Sequence, residues 1–535
     1  MIKSMEDVTI GNLFEKNLKL FPDKTIQVFD GGKRQTYREM EERANRLANG
    51  LLDLGLKKGD HVAILAMNCP EYMEYQLATA KIGIVSVLIN NLMPSDRIAY
   101  MLDHSDSQAV IFEDQYAEAV GMARENASKL KHFIMIERGN KPDINGIDTY
   151  EDLIRRSSDK RPEIDVKIMD PNSLLYTTGT TGMPKGVLKS MAADMYHPLT
   201  GIIYYPNYDA THKLGLPAYN HLVSLLIGPQ FHLGGQSFTL IPLISPATLV
   251  LTRKFEPEKF LKLIHEEKIN STWIQPAMLY EIKKLPAETL KKYDVSSLVA
   301  IICGSTTLKA QEKKDLLDFF SNATLGSNYA STEFATASYV SQEELDATRP
   351  DNLGVPSLAA EIMIADEEGN ELPVNEVGHI WVRTPALPIN CEYYKNEEAT
   401  RQGFRNGWAI VGDTGWRDEK GYFYYYGRGD DIIKSGGEKV SPLPIEEIIQ
   451  QNPKVNAAVV VGIPDDKWQE VVTAVVVPKK GEDITETEVI ELCKEKVASY
   501  ERPKKVYFVK ELPLGTTGKV DRKSLKKMIQ EHTIT

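Results

Sequence analysis

The sequence predicts an α/β fold: a large amino-terminal domain of stacked, mostly parallel sheets with flanking helices, followed by a small, mobile α+β domain. Three observations predict it. Strand-like and helix-like apolar patterns alternate through the first half of the chain, which places helices on both faces of a parallel sheet. At 535 residues the chain is too long for a single core. The stretch Gly427-Arg428-Gly429-Asp430-Asp431-Ile432-Ile433-Lys434-Ser435-Gly436-Gly437 is dense in glycine and charge, the composition of a flexible connection. It sets the expected boundary between domains of residues 1–429 and 430–535.

The elements follow in order. Thr36 and Glu39 form a capping box, and Met40, Ala44, Leu47, Ala48 and Leu51 then recur at helical spacing until Gly55. Val62 to Leu65 reads as a buried strand. A helix opens at Pro70, a strand lies around Ile84 to Ile89, a helix starts at Ser95, and Ala109 to Phe112 is a strand. In such folds ligands sit at the carboxyl ends of strands, where the loop at residues 176 to 187 falls. Tyr422 to Tyr426 alternates aromatics as a packed strand. Near the carboxy terminus Ala457 to Val461, Val471 to Val477 and Val506 to Val509 read as strands, and Val489 to Val497 as a helix.

Composition narrows the function classes. Acidic residues outnumber basic ones by 75 to 63, which disfavours a nucleic-acid-binding surface. Cys69, Cys303, Cys391 and Cys493 are far apart without CxxC pairing, so they read as reduced thiols rather than a zinc site or disulfide framework. No apolar signal region, bilayer-length run or peroxisomal address is evident, and the expected location is cytoplasmic.

The chemistry starts at Leu174-Leu175-Tyr176-Thr177-Thr178-Gly179-Thr180-Thr181-Gly182-Met183-Pro184-Lys185-Gly186-Val187. Glycines let the backbone approach an anion, the threonines Thr177, Thr178, Thr180 and Thr181 offer hydroxyls, and Lys185 adds charge, so the loop suits phosphate. Pro184 between Met183 and Lys185 separates it from a Walker loop. Downstream, Pro229-Gln230-Phe231-His232-Leu233-Gly234-Gly235 joins an aromatic, a histidine and two glycines. Read alone, His232 beside apolar residues is an ordinary core histidine. Val299 to Thr306 is a buried strand ending in a small-residue turn at Gly304 and Ser305.

Taken in order along almost the whole chain, about residues 30 to 525, these motifs resemble the adenylate-forming superfamily. That superfamily contains acyl-CoA and aryl-CoA ligases, firefly-type luciferases and peptide-synthetase adenylation domains. The family usually has serine where Thr178 stands, a second glycine at Ser305, and glycine at Ala330 of Asn328-Tyr329-Ala330-Ser331-Thr332-Glu333. The resemblance implies that Thr177 to Gly182 and Lys185 hold the phosphates of ATP. Gly304 and Ser305 would lie against adenine and Tyr329 would stack on it. Thr332 would touch the α-phosphate, and Glu333 would hold magnesium. Asp413 of Gly412-Asp413-Thr414-Gly415 would bind both ribose hydroxyls, and Arg428 the ribose or phosphate. Phe231, His232, Leu233 and Gly234 would line the acyl pocket and thiol channel, with Asn328 on the acyl site. Asp430 would be the hinge, Lys434, Ser435, Gly436 and Gly437 the coenzyme A face, and Lys519 the lysine that swings into the active site.

The function this implies is ligation of a carboxylic acid to coenzyme A through an acyl-adenylate, with ATP, CoA and Mg²⁺ required. The segment at 229 to 235 holds no acid to pair an ammonium group, which disfavours an amino-acid substrate. An amide or carrier-protein ligase acting in trans is the alternative, ahead of a luciferase-like oxygenase or a non-catalytic nucleotide sensor. The identity of the acid and the oligomeric state, homodimer included, stay open.

Overall fold

The computed structural model describes residues 2–534 except 141–145, 178–182, 205–220, 304–309, 348, 350, 436–437, 466, 495, 515–519 and 532. The chain divides into two compact units, residues 1–362 with 382–409 and residues 363–381 with 410–535.

The larger unit holds two sheets. In the first the strands run in the order Lys33–Thr36, Thr25–Phe29, Thr248–Leu251, Val223–Leu226, Ser271–Trp273, Ala300–Cys303, Thr324–Ser331, Ala335–Val340 and Asn352–Pro356. Its central pairings are parallel. The second runs Asp148–Thr149, His132–Ile136, Ser107–Glu113, His61–Leu65, Val85–Leu88, Pro171–Thr177 and Lys185–Ser190, parallel except for the last pair. The expected elements of the first half are all present. The capping box at Thr36 and Glu39 is complete and opens the helix Tyr37–Asp53, whose Met40, Ala44, Leu47, Ala48 and Leu51 are fully buried.

The sheets share a core with the helices Ile10–Leu20, Tyr37–Asp53, Glu71–Ile82 and Leu233–Ile244. All residues of Glu71–Ile82 are buried, so its charged side chains need partners inside the protein. Glu71 meets Arg138 at 2.8 Å, Glu74 meets Arg43 at 2.7 Å, and Lys81 meets Glu41. A second ionic cluster ties sheet to sheet. Glu113, fully buried at the end of Ser107–Glu113, accepts from both guanidinium nitrogens of Arg253 at 2.7 Å and from Arg138 at 3.0 Å. Arg253 follows the strand Thr248–Leu251 of the other sheet.

The smaller unit is α+β, as expected. The hairpin Asp413–Arg417 and Phe423–Arg428 leads through a 3₁₀ turn at Gly429–Asp431 to a sheet of Glu438–Val440, Ile433–Ser435, Gln469–Pro478 and Val455–Asp465, with Lys505–Phe508 beside Gln469–Pro478. The glycine- and charge-rich stretch is therefore largely paired backbone: Ile433 and Ser435 alternate inward and are fully buried, a period-2 signal that the flanking glycines hide. The helix expected to reach Val497 ends at Lys494. Among the described residues no helix is long and apolar enough to cross a membrane.

Candidate active site

Thr177 closes a strand that lies parallel to Val85–Leu88 and antiparallel to Lys185–Ser190. The phosphate-type loop thus leaves the carboxyl end of a parallel strand, and Thr177 stands opposite Lys185 at its neck. Thr178, Gly179, Thr180, Thr181 and Gly182 lie outside the described residues. Gly186 is a position of close approach: a Cβ there would stand 3.1 Å from Leu174 and 3.3 Å from Tyr394, and its carbonyl accepts from the Tyr394 amide at 2.8 Å.

That backbone bridge brings Tyr393 to the site. The Lys185 ammonium sits 5.2 Å from the centroid of its ring, a cation–π distance, while the Tyr393 hydroxyl donates to Glu333 at 2.7 Å. Loop lysine and acidic residue are so joined through one aromatic side chain. Glu333 is buried, with 7% exposure, in the turn between Thr324–Ser331 and Ala335–Val340, and Thr332 beside it is half-buried. Tyr329 is buried with its ring 5.3 Å from Phe334, and half-buried Asn328 pairs opposite Tyr339. The expected strand before Gly304 and Ser305 is Ala300–Cys303, buried throughout and parallel to Thr324–Ser331. Gly304 and Ser305 themselves lie outside the described residues.

His232 is exposed at the N-cap position of the helix Leu233–Ile244, so it is no core histidine. Phe231 and Leu233 are buried in the shared core, and Gly234 is half-buried with open space where a Cβ would go. The helix Met191–Tyr204, which packs against Leu233–Ile244, and the strand before it carry a polar cluster that no sequence motif marked. Asp194 is buried and accepts from Asn172 at 2.7 Å and Ser173 at 2.8 Å, and burial raises its pKa. His197 is bonded to the Thr336 hydroxyl. Burial, with the nearby charges of Lys189 and His232, pushes it down to about 3 and keeps it neutral. Lys189 is fully buried and pushed down to about 8 by burial, against the pull of Asp194 and Glu333.

In the smaller unit Asp413 is buried and faces Arg428 across the hairpin, carboxylate to guanidinium 3.2 Å. Arg428 also donates to the Val411 carbonyl at 2.6 Å. The two residues expected at the ribose hold each other in place. Asp430 is in the 3₁₀ turn, Lys434 is exposed, and Ser435 is fully buried with its hydroxyl unpartnered among the described residues. Gly436, Gly437 and Lys519 lie outside the described residues.

Sequence reasoning missed Tyr393, Asp194, His197 and Lys189. Tyr393 carried no local signal, being 60 residues from Glu333. Lys189 did: a lysine two positions after Val187, on the inward phase of a strand, breaks the alternation that otherwise buries apolar side chains.

Comparison with known proteins now identifies the class. The model of the AMP-binding enzyme family matches residues 14–388, and that of the AMP-binding enzyme C-terminal domain matches residues 444–519; the chain belongs to this family. Crotonobetaine/carnitine–CoA ligase of Citrobacter koseri is 30% identical over 533 residues, spanning 97% of this chain and 98% of that protein. The solved structure of an anthranilate CoA ligase in complex with anthranoyl-AMP matches with a TM-score of 0.87 at 25% identity, covering 99% of this chain and 98% of the other. An amide bond synthetase of Marinactinospora thermotolerans matches with a TM-score of 0.82 at 25% identity, covering 97% and 99%. The resemblance read from the motifs, the fold class and the enzyme class, an AMP-forming acid–thiol ligase, all stand.

Proposed function

We propose that this chain joins a carboxylic acid to coenzyme A in two steps at one site. A carboxylate oxygen attacks the α-phosphorus of ATP, the bond to the β-phosphate breaks, and pyrophosphate leaves. The CoA sulfur then attacks the acyl carbon, the acyl–oxygen bond breaks, and AMP leaves. The observation that carries the reading is the Lys185–Tyr393–Glu333 chain at the neck of the threonine- and glycine-rich loop. A reaction between two anions needs charge neutralised and aligned, and this chain fixes a cation and a carboxylate against each other beside the loop.

Glu333 suits Mg²⁺. It is a single buried carboxylate with one oxygen held by Tyr393, and Mg²⁺ is commonly bound by one or two carboxylates plus substrate phosphates. When bound, the ion screens the triphosphate. Lys185 and the loop bind the phosphates, and Thr332 meets the α-phosphate. Tyr329 packs along adenine. Asp413 accepts from the ribose hydroxyls, with Arg428 orienting it. Lys519 supplies charge at the reacting phosphorus, and the unit from about residue 430 carries it away before CoA enters past Lys434, Ser435 and the two glycines. The location that fits is cytoplasmic.

The decisive experiment mixes the protein with ATP, CoA and a panel of alkyl, aryl and oxygen-substituted acids and carnitine, and detects pyrophosphate. Acid-dependent pyrophosphate release with stoichiometric acyl-CoA is expected. The likeness to an amide bond synthetase favours one second reading, transfer to an amine. Product formed with amines and none with CoA would establish it instead.

Two variants probe the proposed roles. Tyr393→Phe keeps the ring under Lys185 but removes the hydrogen bond to Glu333. It is expected to lower kcat/KM for ATP about tenfold, equivalent to about 1.4 kcal/mol, with the loss shrinking as Mg²⁺ is raised. A loss independent of Mg²⁺ would separate Tyr393 from that carboxylate's role. Asp430→Pro freezes the hinge: a 3₁₀ turn has φ near the roughly −65° that proline imposes, so this conformation is kept and others are lost. Adenylation should persist, while thioester formation falls more than about thirtyfold. Single-turnover rates for each half-reaction decide it, and two wild-type rates would exclude rotation at this residue.

A further inference from the structure

One turn fastens both sides of the loop's neck. The helix Ser95–His104 and the strand Ser107–Glu113 are joined through Ser105 and Asp106, and Asp106 holds a left-handed backbone with φ 55°. Nδ1 of His104 lies 3.0 Å from the Tyr176 hydroxyl, and Tyr176 immediately precedes Thr177 and stands opposite Gly186. The Asp106 carboxylate accepts from the Tyr394 hydroxyl at 2.9 Å and pairs with Lys395 at 2.5 Å and Lys129 at 2.9 Å. The Tyr394 ring lies against His61 and His104, with centroids 5.7 and 5.9 Å away.

The segment so held is strained. Asn390, Cys391 and Lys395, on either side of Tyr393 and Tyr394, have left-handed backbone with φ of 60°, 53° and 50°. Such a conformation is costly for residues other than glycine and persists where surrounding contacts impose it. The bridge to Gly186 supplies one contact, the hydrogen bond from the Tyr394 amide, about which the segment can still pivot. Thr400 accepts from the Tyr393 amide at 3.0 Å, but it belongs to the helix Glu397–Gly403, which continues the same segment and moves with it. Asp106 anchors from a distant part of the sheet. Burial raises its pKa, but the bonds from Lys395, Lys129 and Tyr394 outweigh this and bring it to about 2, so the anchor is ionised near neutral pH.

We propose, resting on the CoA-ligase reading, that Asp106 and Tyr394 are positioning residues for the adenylation step. By fixing the segment that carries Tyr393, they hold Glu333 and Lys185 in register for the magnesium–triphosphate. Both act through Tyr393 and neither touches the reacting atoms.

Two variants of Asp106 test this. Glycine adopts positive φ freely, so Asp106→Gly removes the carboxylate without straining the turn. Asp106→Asn keeps an acceptor and also tolerates the left-handed backbone. Asp106→Gly should lower kcat/KM for ATP about five- to tenfold, with the loss shrinking as Mg²⁺ is raised, and Asp106→Asn should recover most of it. In the ligand-free protein, hydrogen exchange at the Tyr394 amide should quicken about tenfold or more in Asp106→Gly. Tyr394→Phe keeps the ring beside the histidines and loses the tether. Combined with Tyr393→Phe it should add little to the loss from Tyr393→Phe alone, because one residue acts through the other. Multiplied losses, unaltered exchange, or equal activity in the glycine and asparagine variants overturns the proposal. Absence of pyrophosphate release from the wild-type protein with every acid would instead sink the ligase reading. Release in the wild type, with Asp106→Gly at the same kcat/KM for ATP, would sink this inference alone.

Discussion

Lys519→Ala should lower adenylate formation about 10²- to 10³-fold while leaving CoA transfer from a supplied acyl-adenylate nearly intact. The magnitude is that of losing one preorganised charge or donor aimed at a developing transition state. The asymmetry follows from chemistry: in the first step an anion attacks a phosphorus surrounded by negative oxygens, whereas in the second a thiol opens an already reactive mixed anhydride. The described residues on either side of the segment 515–519 are tied down. Leu514 pairs with Val520, and the Asp521 amide donates to the Pro513 carbonyl at 2.8 Å. Arg522 then meets Glu446 and the Val460 carbonyl, each at 2.7 Å. Single-turnover pyrophosphate release and consumption of synthetic acyl-adenylate are the two measurements. Equal loss in both, with the melting curve unchanged, would refute the assigned role.

Glu113→Gln should destabilise the larger unit by about 3–5 kcal/mol, the cost of breaking a buried ionic cluster by removing one partner. Two guanidinium groups converge on that carboxylate, and the amide returns only part of the hydrogen bonding and none of the charge. Denaturant unfolding midpoints read the loss, and a change below about 1 kcal/mol would show that Arg253 and Arg138 find compensation elsewhere. The pH dependence has a definite sign. Burial raises the Glu71 carboxyl, but its bond to Arg138 outweighs this and its pKa is lowered. Its contribution is full above the unfolded value near 4.5 and is lost as pH falls through the folded one.

The fold was legible wherever one residue pattern had one physical meaning. Thr36 with Glu39 marked a helix start, and the apolar runs at 62–65 and 109–112 had to be interior strands. The glycine- and charge-rich stretch 427–437 was read too loosely, because Gly436 and Gly437 obscured the inward Ile433 and Ser435. At the site, residues within contiguous motifs could be named, whereas Tyr393 could not. Its place beside Lys185 and Glu333 arises from a backbone bridge between Gly186 and Tyr394, residues 208 apart, and long-range pairing leaves no local periodicity. Lys189 was visible but sat in the shadow of the loop before it.

The wholly buried helix Glu71–Ile82 has a consequence for how the protein is made. It packs against Leu233–Ile244 and shares its core with the strand Thr248–Leu251. Those partners are synthesised about 150 residues later, a delay of roughly 8–30 s at roughly 5–20 residues per second. Through that interval the face of the helix that meets those later partners has no cover. Ribosome-bound chains halted near residue 200 should therefore recruit chaperones strongly, and chains halted well past residue 300, allowing for the exit tunnel, much less.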